Sequence, residues 1–370
     1  MPVRLVVLDD NHFVRTYARE TRPASETFNQ FVEAVARSPR IGHVRYMVPI
    51  RHLRIWEVEP ALDPVDESVL DIVPTAPFGG IADQILRAGW LAARNWRPIE
   101  SAIADANLLW LRLPAPNALL ALTAARRRGV PVFSWIDGST DAVIRLAMAL
   151  GPSIAPDGEL FASRITDEEI ADTRPLSDER VQEGPWRIAW AGRMGSESGL
   201  PELIEGVRLL LVRGRDVVLV LMGDGPAGKS IERRLRSLGQ ERVEDYGFVG
   251  DRPTYMQLLR EAAVLVYPSP VTDVPAVLID AMAAGLPIIA TDGGAAKNVL
   301  GDGERGIVIG AGESQRIAAA LEELFDRPQR RKELRLRALD WVSDHTARAQ
   351  ADRLLPKLVE LFPGLDWSER

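Results

Sequence analysis

Short apolar runs alternate with amphipathic helical stretches along this chain, and the alternation occurs twice, in two halves separated by a polar interruption. That order predicts parallel sheets, because a parallel neighbour is reached only by a crossover that a helix ordinarily makes. In the first half, residues 4–8 read as a strand. Residues 26–37 read as a helix with Phe28, Phe31, Val32 and Val35 on one face. Residues 43–49 read as a second strand and 80–97 as a helix. A strand at 107–113, a helix around 116–128 and a strand at 130–136 repeat the unit, with Gly129 and Pro131 marking the last turn. Residues 151–185, rich in Pro, Gly, Asp and Glu, read as a linker. A second series follows: strands at 186–191, 217–222, 264–267, 288–291 and 306–309, and helices at 201–213, 314–325 and 328–343. The chain therefore reads as an α/β protein with one Rossmann-like domain over 1–178, a second over 179–345, and a tail over 346–370. Its length of 370 residues suits two such domains.

Composition excludes several classes. Asp and Glu number 52 against 45 Lys and Arg, a net charge of −7, so the broad positive field of a nucleic-acid binder is missing and no nucleic-acid partner is expected. With no cysteine, disulfides, thiolate metal sites and cysteine nucleophiles are out. His12, His43, His52 and His345 lie too far apart for a zinc motif, and no metal site is expected. The opening apolar run, 5–8, is too short for a signal-peptide core, and nowhere do the roughly 18 consecutive uncharged apolar residues occur that a bilayer-spanning helix needs. A cytoplasmic chain is expected.

One motif invites over-reading. Residues 223–230, Gly-Asp-Gly-Pro-Ala-Gly-Lys-Ser, satisfy both G-x-G-x-x-G and G-x-x-x-x-G-K-[ST] between a strand and a helix. A hydrolase would need a downstream strand ending in Asp to hold magnesium, yet the next strand runs into Tyr267-Pro268-Ser269. A dehydrogenase would need an acid at a strand end about 20 residues on, which Glu241 and Glu244 match only loosely. A strand-to-helix turn, with or without a substrate contact, is the reading that remains.

Several motifs then line up in order and spacing: Ala191-Gly192-Arg193, Met222-Gly223-Asp224-Gly225-Pro226, Tyr246-Gly247-Phe248-Val249-Gly250, Val266-Tyr267-Pro268-Ser269, residues 275–285, and 287–294 with 301–306. Together, over roughly residues 186–345, they resemble the nucleotide-sugar half of the retaining glycosyltransferases of family four. In the first half, Pro23-Ala24-Ser25-Glu26-Thr27-Phe28 is similar to a segment of a subgroup associated with exopolysaccharide assembly. The resemblance implies the GT-B fold: two Rossmann-like domains with an interdomain cleft, the donor held mainly by the second and the acceptor by the first. It also implies a last helix that crosses back to the first domain. The apolar positions Leu354, Leu355, Leu358 and Leu361 would give such a helix its docking face.

What the resemblance implies can be carried onto single residues. Arg193, after Gly192, would meet the donor diphosphate and offset charge on the leaving group; a surface ion pair is the alternative. The family's lysine five residues on is Ser198 here. The family's two glutamates fall on Thr272 and Asp280. Asp280 keeps a carboxylate for ribose, Thr272 keeps only a hydroxyl for the sugar, and neighbouring Asp273 can supply a carboxylate or, like Thr272, cap the next helix. Gly192, Gly223, Gly225, Gly293 and Gly294 would let backbone amides approach phosphate or sugar, or serve the turns alone. Lys297 stands where relatives often carry Glu, as a substitute phosphate cation or a plain surface lysine. On the acceptor side Ser25 and Thr27 sit at a helix start where they would face a substrate phosphate or merely cap. Asp137 would orient an acceptor hydroxyl or cap the helix after it. Arg15, Arg19 and Arg22 would meet an acidic sugar or a lipid diphosphate, or form a solvated loop, and His12 has no partner visible in sequence. The stretch 81–97 combines Ile81, Ile85, Leu86, Trp90 and Leu91 with Arg87, Arg94 and Arg97, which fits peripheral contact with an anionic membrane or packing on the first sheet.

The function implied is transfer of a hexose, with retention, from a nucleotide diphosphosugar as donor substrate to a polysaccharide or lipid-linked glycan, with no further cofactor. A GT-B protein that binds nucleotide sugar or glycan without transferring it is the alternative raised by Ser198 and Thr272. A phosphate-loop ATPase is the remoter one.

Overall fold

The structure, a computed structural model, describes residues 2–369 except 24–27, 55, 58–61, 80, 137–150, 155–158, 174–183, 196, 227, 270–275 and 294. The chain divides into two compact units, Met1–Arg164 with Ala347–Arg370, and Ile165–Thr346.

The first unit is built on an eight-stranded sheet. Its strands are β1 (Val3–Leu8), β2 (Phe13–Arg15), β3 (Thr21–Pro23), β4 (Ile41–His52), β5 (Asp71–Thr75), β6 (Leu108–Leu113), β7 (Val132–Ile136) and β8 (Ser153–Ile154). The order is β3-β2-β4-β1-β6-β7-β8, with β5 also paired to β4. All pairings are parallel except the β2–β3 hairpin at the edge. β1 is buried on both faces, and its period-two alternation sends Leu5 and Val7 into one core and Val6 and Leu8 into the other. The first core is aromatic: Trp110 lies 5.4 Å from Phe28 and 5.7 Å from Phe31, edge to face. Helix Ala347–Leu361 closes this core through buried Leu354, Leu355 and Leu358, whereas Leu361 is exposed. Gln350, fully buried on that helix, accepts from the Phe161 amide and donates to the Glu159 carbonyl, each at 3.1 Å.

The second unit is a six-stranded, all-parallel sheet of β9 (Trp186–Ala191), β10 (Val217–Met222), β11 (Val243–Asp245), β12 (Val264–Tyr267), β13 (Ile288–Thr291) and β14 (Ile307–Ile309). The order β11-β10-β9-β12-β13-β14 runs outward from β9 to one edge, then returns to its other side. All six residues of β10 are buried, as expected of a central parallel strand covered by helices on both faces.

The structure corrects the sequence reading in several places. Strands β2, β3, β5, β8 and β11 were not predicted. β2, β3, β8 and β11 are two or three residues long and carry no periodicity, and β5 contains Pro74. The helix predicted over 80–97 is Ile81–Ile103 and continues through Pro98, because burial of Ile99, Ala102 and Ile103 offsets the hydrogen bond lost at proline. The stretch read as linker holds β8 and helix Asp167–Thr173. The unit boundary falls at 164/165 rather than 178/179, since that helix packs with the second unit, its Glu169 accepting from Arg252 at 2.8 Å.

Candidate functional site

In an open parallel sheet, the strands on either side of the point where the order reverses send their following loops apart and leave a crevice at their carboxyl ends. In the second unit that point lies between β9 and β12. The loop after β9, the loop after β10 and the loop after β12 are tied to one another there by backbone contacts. The Gly192 amide donates to the Met222 carbonyl at 3.1 Å and the Met194 amide to the Asp224 carbonyl at 2.9 Å. The Ser269 hydroxyl donates to the Glu197 carbonyl at 2.9 Å.

This approach is what the glycines of the 223–230 motif serve within the fold. A Cβ on Gly223 would overlap the Gly192 carbonyl oxygen, and one on Gly225 would sit 2.6 Å from the Met194 carbonyl oxygen. Gly199, at φ +64, is pressed against the Pro268 carbonyl in the same way. The motif thus has a packing reason at its first two glycines, independent of any phosphate.

Arg193 is exposed in the loop after β9 and, among the described residues, its side chain meets no carboxylate. Ser198, at the position of the family's lysine, is buried, and its hydroxyl accepts from the Leu200 amide at 3.3 Å, where helix Leu200–Val212 begins. It is a structural partner of that helix end. Gly192 is exposed and Gly293 half-buried, each directly after or within two residues of a strand end. Lys297 pairs with Asp302 at 3.2 Å on the surface.

Asp280 is the residue whose surroundings differ most from the sequence expectation. It is fully buried on helix Ala276–Ala283, and the Arg252 guanidinium donates to it at 2.8 Å while also donating to Glu169 at 2.8 Å. Burial alone would lower the Arg252 pKa, but the charges of Asp280 and Glu169 outweigh it and hold the cation firmly protonated. Asp280 therefore faces a partner supplied by its own unit, a pairing that sequence alone had no means to find across 28 residues. Of the remaining expected site residues, Ser25, Thr27, Asp137, Thr272, Asp273 and Gly294 lie outside the described residues.

Two aromatic side chains add to this end of the sheet. Tyr246 and Phe248, in the segment that follows β11, are exposed, Phe248 to 65%. Their motif was legible in sequence, but their exposure was not.

The first unit carries a polar cluster that the sequence reading passed over, at the carboxyl end of β1, where strand order also reverses, between β1 and β6. Asp9 accepts from the Tyr46 hydroxyl at 2.6 Å and from Arg112 at 3.2 Å, and Arg112 lies 4.4 Å from the centre of the Phe28 ring. Asp10 accepts from the Asn117 amide at 2.8 Å and its side-chain nitrogen at 2.7 Å; Asn117 in turn accepts from Asn95 at 2.9 Å. Burial pushes the Asp10 carboxyl up to about 6 against the pull of the two Asn117 bonds, with a smaller push from Asp9. Burial and then the charge of Arg51 lower the pKa of His12, whose ring packs edge-on against Phe78 at 4.6 Å. The signal available in sequence was the Asp9-Asp10 pair closing the first strand. Of the three early arginines, Arg22 pairs with Glu20 at 2.7 Å, Arg15 donates to the Arg19 carbonyl at 3.3 Å, and Arg19 makes the turn between β2 and β3 at φ 65°. Arg15 and Arg22 are strand residues with local partners, not a solvated loop.

Two Rossmann-like units, one with a fully parallel sheet reversing order at a cationic, glycine-bearing crevice, define a GT-B protein. In agreement, the fold matches that of Anabaena Alr3699/HepE, solved in complex with UDP, with a TM-score of 0.63 over 97% of this chain and 100% of that one, at 14% identity. Residues 185–327 match the family model described as Glycosyl transferases group 1. The D-inositol 3-phosphate glycosyltransferase of Jonesia denitrificans is 30% identical over 291 residues, 70% of this chain and 67% of that protein. The alpha-D-kanosaminyltransferase of Streptomyces kanamyceticus is 27% identical over 231 residues, 61% of this chain and 59% of that protein. The chain belongs to the group 1 glycosyltransferases. The match spans less than two thirds of the kanosaminyltransferase's length.

Proposed function

We propose that this protein is a retaining glycosyltransferase that moves a hexose from a nucleotide diphosphosugar to a polysaccharide or lipid-linked glycan. The observation that carries the proposal is Arg193: an exposed guanidinium without an ion-pair partner among the described residues, beside the order reversal of an all-parallel sheet. A planar five-donor fork suits a diphosphate, and it acts most strongly as negative charge builds on the departing nucleoside diphosphate. Helix Leu200–Val212 begins in the same loop and turns its positive end toward that region. The exposed ring of Phe248 offers a face on which a nucleobase can stack. Thr272, Asp273 and Gly294 are proposed to reach the donor sugar and phosphate, and Ser25, Thr27 and Asp137 the acceptor.

Calorimetric titration with a panel of nucleoside diphosphates and their sugars tests the reading. At least one should bind, and Arg193→Ala should weaken it roughly ten- to hundred-fold, the loss of one charge-assisted bidentate contact, without lowering the melting temperature. Wild-type affinity in the variant would remove Arg193 from the site.

A second reading is favoured by Ser198 and Asp280, which the fold uses as a helix-end partner and as the buried partner of Arg252. On that reading the protein binds a nucleotide sugar but does not transfer it. Binding of a nucleotide sugar with neither transfer nor slow hydrolysis, across a range of glycan acceptors, would select it.

A further inference from the structure

We propose that the outer face of helix Ile81–Ile103, with the basic end of helix Ala118–Arg128, is a docking surface for an anionic lipid bilayer. This inference is independent of the transferase reading. Leu86, Trp90, Ala93 and Arg97 fall on one stripe of the helix and are all exposed, Leu86 to 85% and Trp90 to 47%. The opposite stripe, with Leu91, Asn95, Ile99, Ala102 and Ile103, is buried. The helix has thus already given one face to the sheet, and the apolar residues of the other face are not core.

The charges around this stripe are lopsided. Arg87 and Arg94 lie over the Trp90 ring at 4.3 Å and 5.6 Å, and Arg127 lies over Trp96 at 4.9 Å. Arg126, Arg127 and Arg128 close the neighbouring helix, whose Leu119 is also exposed. Among the described residues, the carboxylates they meet are Asp83, 3.3 Å from Arg87, and Glu100, 3.9 Å from Arg128. A basic surface on a chain of net charge −7 is a local feature with a local use.

Charge and apolar exposure have to be explained together. Attraction to a soluble polyanion would account for the arginines but gives no reason to hold Leu86 and Trp90 in water. A purely apolar partner would leave the arginines unpaired. The bilayer interface satisfies both, with acyl chains receiving Leu86, Trp90 at headgroup level and guanidinium groups reaching lipid phosphates along their own stems. Among the described residues no helix is long and apolar enough to cross a membrane, so the contact is one of lying on the surface.

Sedimentation of the full chain with vesicles decides the matter. The protein should pellet with vesicles of equal parts phosphatidylglycerol and phosphatidylcholine, remain in solution with pure phosphatidylcholine, and be released as salt is raised. Leu86→Glu with Trp90→Glu, and separately Arg94→Glu with Arg97→Glu, should each cut the bound fraction about ten-fold. Arg236→Glu, an equal charge change on an exposed side chain of the second unit, should not. Circular dichroism and melting curves matching wild type establish that the variants fold, as exposed positions should allow. Failure to pellet with anionic vesicles, or wild-type binding by the Leu86/Trp90 variant, overturns the proposal. Nucleoside-diphosphate affinity is read on the same samples: vesicle binding without it would sink the transferase reading and leave this surface standing, and the converse would do the reverse.

Discussion

The two units reverse strand order at the same kind of place and furnish it in opposite ways. After β9 the crevice is lined by glycines and an exposed arginine, and its loops are held by backbone hydrogen bonds. After β1 the corresponding end is filled with side chains that satisfy one another: Asp9 with Tyr46 and Arg112, Asp10 with Asn117, and Asn117 with Asn95. A crevice held by backbone groups leaves its one arginine side chain exposed and without an ion-pair partner among the described residues. One that spends its side chains on each other holds a shape, and in it burial raises the Asp10 carboxyl to about 6.

The sharpest way to break this contrast is at the buried charges of the second unit. Arg252→Leu removes the guanidinium shared by Asp280 and Glu169 and should destabilise the protein by ~3–5 kcal/mol in urea unfolding. A variant nearly as stable as wild type would mean that Asp280 is not committed to this pair and is available to a ribose hydroxyl. Next comes the loop contact: Gly223→Ala forces a methyl into the Gly192 carbonyl and should cost ~1–3 kcal/mol, visible as a lower melting temperature. Full stability with lost nucleotide affinity would instead mean that this glycine serves the ligand and not the packing.

In the first unit the contrast is tested by pH. The Asp10 carboxyl is raised from 3.8 to about 6, so the folded chain holds this proton more tightly than the unfolded chain does. Its contribution therefore weakens stability as pH rises from 3.8 to about 6, and levels off above. Asp10→Asn, which does not ionise, should lack that decline, so the melting temperature of wild type should fall relative to the variant across this window. Parallel profiles would indicate a hydrated carboxyl and a looser pocket. The smallest effect is expected at Lys297→Ala, since its exposed pair with Asp302 is worth under ~0.5 kcal/mol, with nucleotide affinity unchanged. A loss of affinity comparable to that of Arg193→Ala would make Lys297 the second phosphate cation.

Much of the second unit was legible in sequence. The strands 186–191, 217–222, 264–267 and 288–291 were placed to the residue, because buried parallel strands are predominantly apolar runs bounded by glycine, proline or charge. Elements without such a run were not legible: the β2–β3 hairpin, β8 and β11 are fixed by their neighbours. The same divide holds for the site. Arg193 could be named from its motif, but its exposure could not. Asp280 could be named as well, but its partner Arg252 could not. Asp10 and Asn117 are 107 residues apart and carry no pattern that joins them.

Sequence by itself determined the α/β class, the division into two parallel-sheet units and the positions of the glycine turns, because hydrophobic periodicity and backbone permissiveness are local properties of the chain. Tertiary structure alone decided which charged groups are free and which are consumed. Arg193 and Arg252 look alike in sequence; one stands in solvent and the other is sealed between two carboxylates. The reason is physical: ionisation, desolvation and pairing depend on distances across the fold, which strand order sets and composition does not.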